Sequence, residues 1–265
     1  MAADKQTIDD KLRLAKPFIE GDINFIEFYS NTSSKNLKYA LTTGFEHASY
    51  NGQLEVVKFL LTSKKIDKNA DIHHSDDYAL NLSSFNGHLN AVKYLLTSKD
   101  LKEHADIHAR QNSSLIWAAE ANKLNVVEYL LESSELRENA DINLVDTNKR
   151  NAFMGACEQN SLSVIKYLAQ RKNLDIKQAL YKLNTDNKDG FMLACENHER
   201  DTEIIDFIVF EMNFQPTARH KKYFKENKGN EEISYAEKII NIRNLYQKLN
   251  LGLNEKKQTV TKNKI

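Results

Sequence analysis

Apolar positions recur along this chain in blocks with helical spacing. In residues 54–61 they are Leu54, Val56, Val57, Leu60 and Leu61, which lie on more than one side of a helix. A helix that is apolar around much of its girth is buried between neighbours. Similar blocks return at residues 89–96, 124–131 and 162–169, with a fainter one near 203–208. The pattern therefore predicts a set of buried, similar helices.

A shorter segment with two small residues at its centre precedes each block. These pairs are Ala48-Ser49, Ser83-Ser84, Ala118-Ala119, Ala156-Cys157 and Ala194-Cys195. Small side chains let two helices pack closely, so each block is the second helix of a helix–turn–helix unit. The turn between the helices carries a residue that tolerates a left-handed backbone or bonds locally. These turn residues are Gly52, Gly87, Asn122, Asn160 and His198, spaced 35, 35, 38 and 38 apart.

These features resemble the ankyrin repeat. That family's pattern runs Thr-Pro-Leu-His-x-Ala-Ala, then Gly-His, Val-Val-x-x-Leu-Leu and Gly-Ala-Asp-x-Asn, over about 33 residues. Here Ala-Asp-Ile-His or Ala-Asp-Ile-Asn follows the second helix at residues 70–73, 105–108 and 140–143. The resemblance covers roughly residues 12–214. It implies an all-α solenoid of about five ankyrin repeats, each a helix–turn–helix with a short β-finger, closed by capping helices at both ends.

Departures from the family pattern lie in the links between repeats. Eight-residue connectors, 62–69, 97–104 and 132–139, stand where the family has about three residues. The stretches after Asp71 and Asp106 are shortened, so we expect blunted fingers there and a full-length finger after Asp141. This variant resembles repeats from intracellular bacteria and giant viruses. That resemblance implies an effector delivered by an intracellular bacterium into a host cell.

The domain prediction divides the chain into four parts. Residues 1–37 form N-terminal capping helices or a half repeat, 38–214 the repeats, 215–250 C-terminal capping helices, and 251–265 a disordered tail. Solenoids need caps because the last repeat otherwise exposes its core. Ser234 and Glu237 have the spacing of a capping box. The apolar face predicted to follow consists of Ile233, Ala236, Ile239, Ile240, Leu245 and Leu249.

Composition excludes several classes of protein. The chain has 37 basic and 37 acidic residues, so nucleic acid is not expected to be its main partner. Two Cys residues cannot build a disulfide framework, which favours a reducing compartment. No apolar run approaches the roughly 18 residues that a membrane span needs, and the N-terminus lacks the apolar core of a signal peptide. We therefore expect a cytoplasmic monomer.

Catalytic and metal-binding motifs are not found. The sequence has no phosphate-binding Gly-rich loop, nucleophile elbow or His-Glu-x-x-His motif. His73 and His108, with Asp71 or Asp106, are a conceivable metal site, but polar side chains that hold a turn explain them better. Cys157 and Cys195 occupy one slot of successive repeats, about 8–10 Å apart, so they should be free core thiols. We expect no catalytic residue, metal or cofactor.

In the ankyrin family the first helices and the fingers form a concave face. The residues just before and after the small pairs should point there. They are His47, Tyr50, Leu82, Phe85, Trp117, Glu120 and Glu158. Aromatic residues on a rigid surface are frequent anchors of interfaces. The resemblance thus implies a non-enzymatic scaffold or adaptor that binds a protein in this groove, although Trp117 could instead cover a neighbouring repeat.

The basic C-terminal segment offers an alternative. Residues 215–265 carry twelve basic and five acidic side chains, densest at 219–222 and 256–264. Such a segment could bind anionic lipid or nucleic acid. An enzyme with an unseen site is the remaining alternative. Salt dependence separates these functions, because binding to phosphate weakens steeply with salt and an apolar groove contact does not.

Overall fold

The computed structural model describes residues 37–66, 69–171, 176–196, 202–227 and 231–262, together with the single residues 23 and 229. The predicted N-terminal half repeat therefore lies almost wholly outside the described residues, as does the turn residue His198. The described part is all-α and contains no β-strand. The predicted solenoid class is thus confirmed.

Five helix pairs follow one another in the described ranges. The first helix of each pair, called the inner helix below, spans Leu37–Tyr50, Tyr78–Asn86, Ala109–Glu120, Ala152–Glu158 and Gly190–Glu196. The outer helices span Leu54–Thr62, Leu89–Thr97, Leu124–Glu132, Leu162–Ala169 and Glu203–Asp206, the last continued by a π-helix, Phe207–Glu211. We number these pairs as repeats 1 to 5. An additional helix, Ile176–Tyr181, lies between repeats 4 and 5.

Inner helices pack more closely on one another than outer helices do. The small pairs explain this, because every one of them is buried. Ser83 adds a polar link between repeats, since its hydroxyl donates to the Ser49 carbonyl at 3.2 Å. When one side of a helical stack is more closely spaced than the other, the stack curves toward the close side. The inner helices therefore form the concave face.

The turns between inner and outer helices have the left-handed backbone that the sequence predicts. Gly52, Gly87, Asn122 and Asn160 have φ values of 67°, 78°, 55° and 56°. Gly52 is required for a second reason: a Cβ there would lie 2.4 Å from the Nδ1 of His88. The His88 ring occupies that space because its Nε2 lies 2.9 Å from the Tyr50 carbonyl oxygen. The turn thus links repeat 1 to repeat 2.

Each long connector folds back onto the outer helix before it. In repeats 1 to 3 the backbone N–H of Ala70, Ala105 and Ala140 donates to a Leu carbonyl ten residues earlier, at 2.8–2.9 Å. A Ser at the helix end accepts from the N–H two residues on, at 3.1–3.3 Å. The described residues of the three connectors therefore repeat these hydrogen bonds from one unit to the next.

The links from repeat 1 to 2 and from 2 to 3 have no finger, only a tight left-handed turn. Three consecutive residues adopt positive φ in each, Ser75–Asp77 and Arg110–Asn112. His73 Nδ1 lies 3.0 Å from Asp77 Oδ1, and His108 Nδ1 lies 2.8 Å from Asn112 Oδ1. These side chains hold the turn, as the sequence analysis favoured. The two later links, 146–150 and 184–188, are longer turns closed by backbone hydrogen bonds and joined by Thr185 N–H to Asn148 O.

A glycine in the left-handed turn should stabilise the protein. A residue with a Cβ loses roughly 1–2 kcal/mol in this conformation, and glycine does not. Gln111 is exposed and has φ 58°. We expect Gln111→Gly to raise the free energy of unfolding by about 1 kcal/mol in urea titration. Gln159→Gly is the control, because Gln159 is also exposed but has φ −105°; an equal gain there would contradict the explanation.

Two further helices, Ala218–Glu226 and Glu231–Lys262, follow repeat 5 within the segment predicted to cap the stack. The second one buries Ile233, Ala236 and Ile240, which recur at helical intervals. The next position of that stripe is Arg243, also buried, whose guanidinium donates to the carbonyls of Val209 and Phe214. The cationic side chain thereby binds one carbonyl within the π-helix and one just after it, at the end where a helix has carbonyls without helical partners.

Three expectations for this end of the chain differ from the structure. Leu245 is 58% exposed, because it is two residues from Arg243 and so lies off the buried stripe. Ser234 is inside a helix that begins at Glu231; a capping box is instead formed by Thr217 and His220. Residues 251–262 continue the last helix, although a disordered tail is predicted there.

Candidate functional site

The concave face presents one side chain from each repeat just after the buried small pair. This position, called the groove slot below, holds Tyr50, Phe85, Glu120, Glu158 and Glu196 in repeats 1 to 5. The residue before the pair is His47, Leu82, Trp117, Gly155 or Leu193. The face therefore has two ends of different chemistry, aromatic in repeats 1 and 2 and acidic in repeats 3 to 5.

The aromatic end is an exposed patch on a rigid support. Tyr50 is 46% exposed and Phe85 is 39% exposed. Trp117 is half-buried, and its ring lies edge-on to Phe85 at a centroid distance of 6.3 Å and to Tyr78 at 5.8 Å. Trp117 therefore both packs against the core and borders the surface. It combines the two roles that the sequence left open, a groove contact and a cover for a neighbouring repeat. We call Tyr50, Phe85 and Trp117 the aromatic patch.

Two of the predicted site residues lie beside this patch without a large exposed surface. His47 and Leu82 are both half-buried. The His47 carbonyl accepts hydrogen bonds from the Asn51 backbone and side chain at 3.0 and 2.8 Å. The Leu82 carbonyl accepts from the Asn86 side chain at 3.0 Å. Both carbonyls lie in the last turn of their inner helices and take part in the hydrogen bonding that ends them.

At the acidic end, Glu120 and Glu158 are brought together by Arg150. Arg150 Nη1 lies 2.7 Å from Glu120 Oε1 and 2.8 Å from Glu158 Oε2, and Nη2 lies 2.9 Å from Asp146 Oδ2. Glu120 can reach this position because Gly155 leaves room: a Cβ there would lie 2.8 Å from Glu120 Cγ. Three carboxylates from two repeats therefore share a single guanidinium.

The environment of Glu120 disfavours its charged form. Burial raises the pKa of Glu120, the Arg150 charge lowers it, and the neighbouring carboxylates Glu158 and Asp146 raise it again, with a net increase. A carboxyl group whose pKa is higher in the folded state stabilises the fold fully at acid pH. That contribution is lost as the pH rises through the raised pKa. One guanidinium thus leaves the cluster short of positive charge at neutral pH.

Removing Arg150 should destabilise the protein in a pH-dependent way. We expect Arg150→Ala to lower the free energy of unfolding by about 1–2 kcal/mol at pH 7. This loss is smaller than that for breaking a fully buried ion pair, because the partner carboxylates are partly exposed. The cost should shrink toward pH 4, because the Glu120 carboxyl, its pKa already raised, then takes up a proton. Urea unfolding at pH 7 and pH 4 measures both values. An equal loss at the two pH values would show that the carboxylates are not the cause.

Sequence reasoning missed three residues of this face: Tyr78, Arg150 and Glu196. Glu196 follows the small pair Ala194-Cys195, so the repeat spacing alone could have found it. Lys188 Nζ lies 2.6 Å from Glu196 Oε2, and the Tyr223 hydroxyl donates to Glu196 Oε1 at 2.7 Å. Arg150 had no such signal, since it belongs to a link between repeats and not to a repeated slot.

Other candidate chemistry is tied into the fold. Among the described residues, no three His, Cys, Asp or Glu side chains are grouped as a metal site. Cys157 and Cys195 are buried and are not joined in a disulfide, as the slot spacing predicts, and burial raises the pKa of the Cys157 thiol well above its ordinary value. A buried thiol of this kind is unreactive. His198, which follows Cys195 by three residues in the sequence, lies outside the described residues.

The dense basic segment 219–222 is split by the structure. Arg219, Lys221 and Lys222 are exposed on the helix Ala218–Glu226, but His220 is buried against Asp189, with 2.8 Å between Nε2 and Oδ2.

Within the described part of the chain, no helix has both the length and the apolar content to cross a bilayer.

Comparison with protein families decides the identity of the repeats. A family model described as ankyrin repeats in three copies matches residues 45–140. These residues are ankyrin repeats. No curated protein matches the chain. The helix pairs 152–169 and 190–211 continue the same architecture beyond the matched range.

Ankyrin repeats are generally protein–protein interaction modules and are typically non-enzymatic. The matched range contains the whole aromatic patch and Glu120, whereas Arg150, Glu158 and Glu196 lie beyond it. The acidic end therefore combines Glu120, at the end of the inner helix of repeat 3, with residues that lie beyond the matched range.

Proposed function

We propose that this protein is a scaffold or adaptor that binds a protein partner on the concave face of its ankyrin repeats, without chemistry of its own. The observation that carries the proposal is the aromatic patch. Tyr50 and Phe85 are large, exposed and held at the same slot of successive repeats, and Trp117 supports Phe85 edge-on. Rigid aromatic side chains bury a large area at low entropic cost, so they are frequent interface anchors.

A matched pair of phenylalanines tests this proposal. Phe85 on the concave face is 39% exposed, and Phe210 in the π-helix of repeat 5 is 44% exposed. Proteins retained from a lysate by the full chain are identified by mass spectrometry and compared between Phe85→Ala and Phe210→Ala. A groove partner should be lost with the first variant and kept with the second.

The purified partner then permits an affinity measurement. We expect Phe85→Ala or Trp117→Ala to cost at least about 2 kcal/mol, more than tenfold in Kd. Stability is measured alongside, because truncating a packed Trp can cost about 3–5 kcal/mol in folding. Trp117 is the only Trp in the chain, so its emission reports burial directly. A partner whose Kd is unchanged by both variants would place the binding site elsewhere.

The finer predictions about biology remain part of this proposal. We propose that the protein is a cytoplasmic monomer, which its cysteine content and repeat spacing favour. Delivery by an intracellular bacterium into a host cell follows only from the lineage resemblance of the repeats. A translocation reporter fused to the full chain would test delivery, and sedimentation equilibrium would test the monomer. Binding through the basic C-terminal helices is the alternative that a steep salt dependence, together with an affinity unchanged by Phe85→Ala, would favour.

A further inference from the structure

The groove slot changes from aromatic to acidic along the concave face. Repeats 1 and 2 place Tyr50 and Phe85 in it, and repeats 3 to 5 place Glu120, Glu158 and Glu196. Adjacent packed helices lie about 8–10 Å apart, so the five slots extend over about 40 Å. An extended chain advances about 3.3 Å per residue, so about three partner residues correspond to one repeat and about twelve to the row.

The acidic slots carry more negative charge than their own ion pairs neutralise. Four carboxylates, those of Glu120, Asp146, Glu158 and Glu196, are bound by two cations, Arg150 and Lys188. Lys149 and Asp186 are exposed at the tips of the two adjoining turns, and their opposite charges cancel. Among the described residues, the acidic end therefore has two more carboxylates than cations that bind them, and it lies beside an apolar patch.

The more exposed carboxylates are the ones farthest from the aromatic patch. The side chain of Glu158 is 35% exposed and that of Glu196 is 32% exposed, compared with 15% for Glu120. Burial, and after it the neighbouring carboxylates, raise the pKa of Glu120 in spite of Arg150. A cation supplied from outside would meet Glu158 and Glu196 first.

We propose that the partner segment in this groove is extended and cationic at one end: it places an aromatic or aliphatic side chain on the aromatic patch and Lys or Arg residues along Glu120, Glu158 and Glu196. The inference rests on the proposed concave-face function and adds the chemistry of the partner. The acidic slots favour a partner end with positive charge. The spacing of about three partner residues per repeat sets how far that end lies from the apolar anchor. The basic residues lie about three to nine positions from the apolar anchor along the partner chain.

A selection experiment tests the chemistry without a known partner. A random dodecapeptide library displayed on phage is selected on the immobilised full chain at 0.1 M salt. We expect enriched peptides to combine an aromatic or aliphatic residue with two or more Lys or Arg at that spacing. Synthetic versions are then titrated by fluorescence anisotropy. Raising salt from 0.1 to 1 M should weaken them, because the Debye length falls from about 10 to about 3 Å.

Two glutamates provide matched variants for the titration. Glu158→Gln removes a groove carboxylate and should weaken a selected peptide about fivefold, within the range for a partly exposed ion pair. Glu135→Gln removes a 57% exposed carboxylate that lies 3.6 Å from Lys93 on the outer side, and should leave affinity within about twofold. Urea unfolding of both variants shows whether any loss of affinity is a loss of folded protein.

The outcomes separate this inference from the function on which it rests. Enrichment of acidic or uncharged peptides that still need Phe85, or equal affinity for Glu158→Gln and wild type, overturns the cationic partner and keeps the concave-face function. Basic peptides that bind equally well to Phe85→Ala overturn both. Absence of any enrichment overturns the proposal of a short extended segment. Basic peptides sensitive to both Phe85→Ala and Glu158→Gln support it.

Discussion

Replacing Ile240 by Asp is expected to detach the last helix from the repeat stack and unfold the C-terminal end. Ile240 is 4% exposed and lies on the buried stripe with Ile233 and Ala236. The substitution removes a buried aliphatic side chain and puts an unpaired carboxylate in its place, which together cost about 4 kcal/mol or more. In a one-dimensional stack the loss spreads to the adjoining repeats. Urea unfolding monitored by circular dichroism measures it.

Leu245→Asp is the matched control for that change. Leu245 belongs to the same helix but is 58% exposed, so its substitution should stay within about 0.5 kcal/mol of wild type. Trp117 adds spatial resolution, because its fluorescence reports repeat 3. In Ile240→Asp, circular dichroism should lose signal at lower urea than fluorescence does. If Ile240→Asp and Leu245→Asp unfold alike, the last helix does not protect the stack.

Replacing Asp189 by Asn is expected to cost about 3 kcal/mol, although the change is nearly isosteric. Asp189 and His220 are both 1% exposed. Asp189 Oδ1 accepts from the Met192 N–H at 3.0 Å, and Oδ2 lies 2.8 Å from His220 Nε2. His220 Nδ1 accepts from the Thr217 N–H at 3.1 Å, so the proton is assigned to Nε2. An Asn that still caps Met192 would then turn its NH₂ group toward the Nε2 proton.

Asp186→Asn is the control, since Asp186 is exposed and lies three residues away. A double-mutant cycle with His220→Phe isolates the pair. Phenylalanine suits a position lined by Tyr181, Phe191 and Phe214, whose rings lie 4.9–5.9 Å from the imidazole. We expect the double variant to be more stable than the sum of the single losses allows. Additive losses would mean that Asp189 and His220 contribute independently.

Much of the fold could be predicted from local patterns. The buried small pairs, the outer helices and the positive φ at Gly52, Gly87, Asn122 and Asn160 all follow from helical periodicity and from the residue types that tolerate a left-handed turn. The shortened links were also visible. Their actual form, three consecutive left-handed residues at 75–77 and 110–112, was not, because non-glycine residues adopt it only when surrounding contacts impose it.

The candidate site was predicted only as a set of slots. Its members were chosen because they flank the small pairs, which is a property of the repeat and therefore of the sequence. The sequence could not show that Tyr50 and Phe85 stay exposed while Trp117 is half-buried, since exposure depends on the neighbouring repeat. Glu120 and Glu158 were predicted as free contacts for a partner, but Arg150 holds both.

The sequence by itself determined the repeat, its helices and its turns, because those depend on interactions between residues close together in the chain. Only the tertiary structure decided which polar groups pair. Arg150 and Glu120 are thirty residues apart, Asp189 and His220 thirty-one, and Arg243 and Val209 thirty-four, yet each pair is in direct contact. Such contacts lie between stacked units and are not encoded in any local period, since their distances are set by how closely the helices of neighbouring units pack.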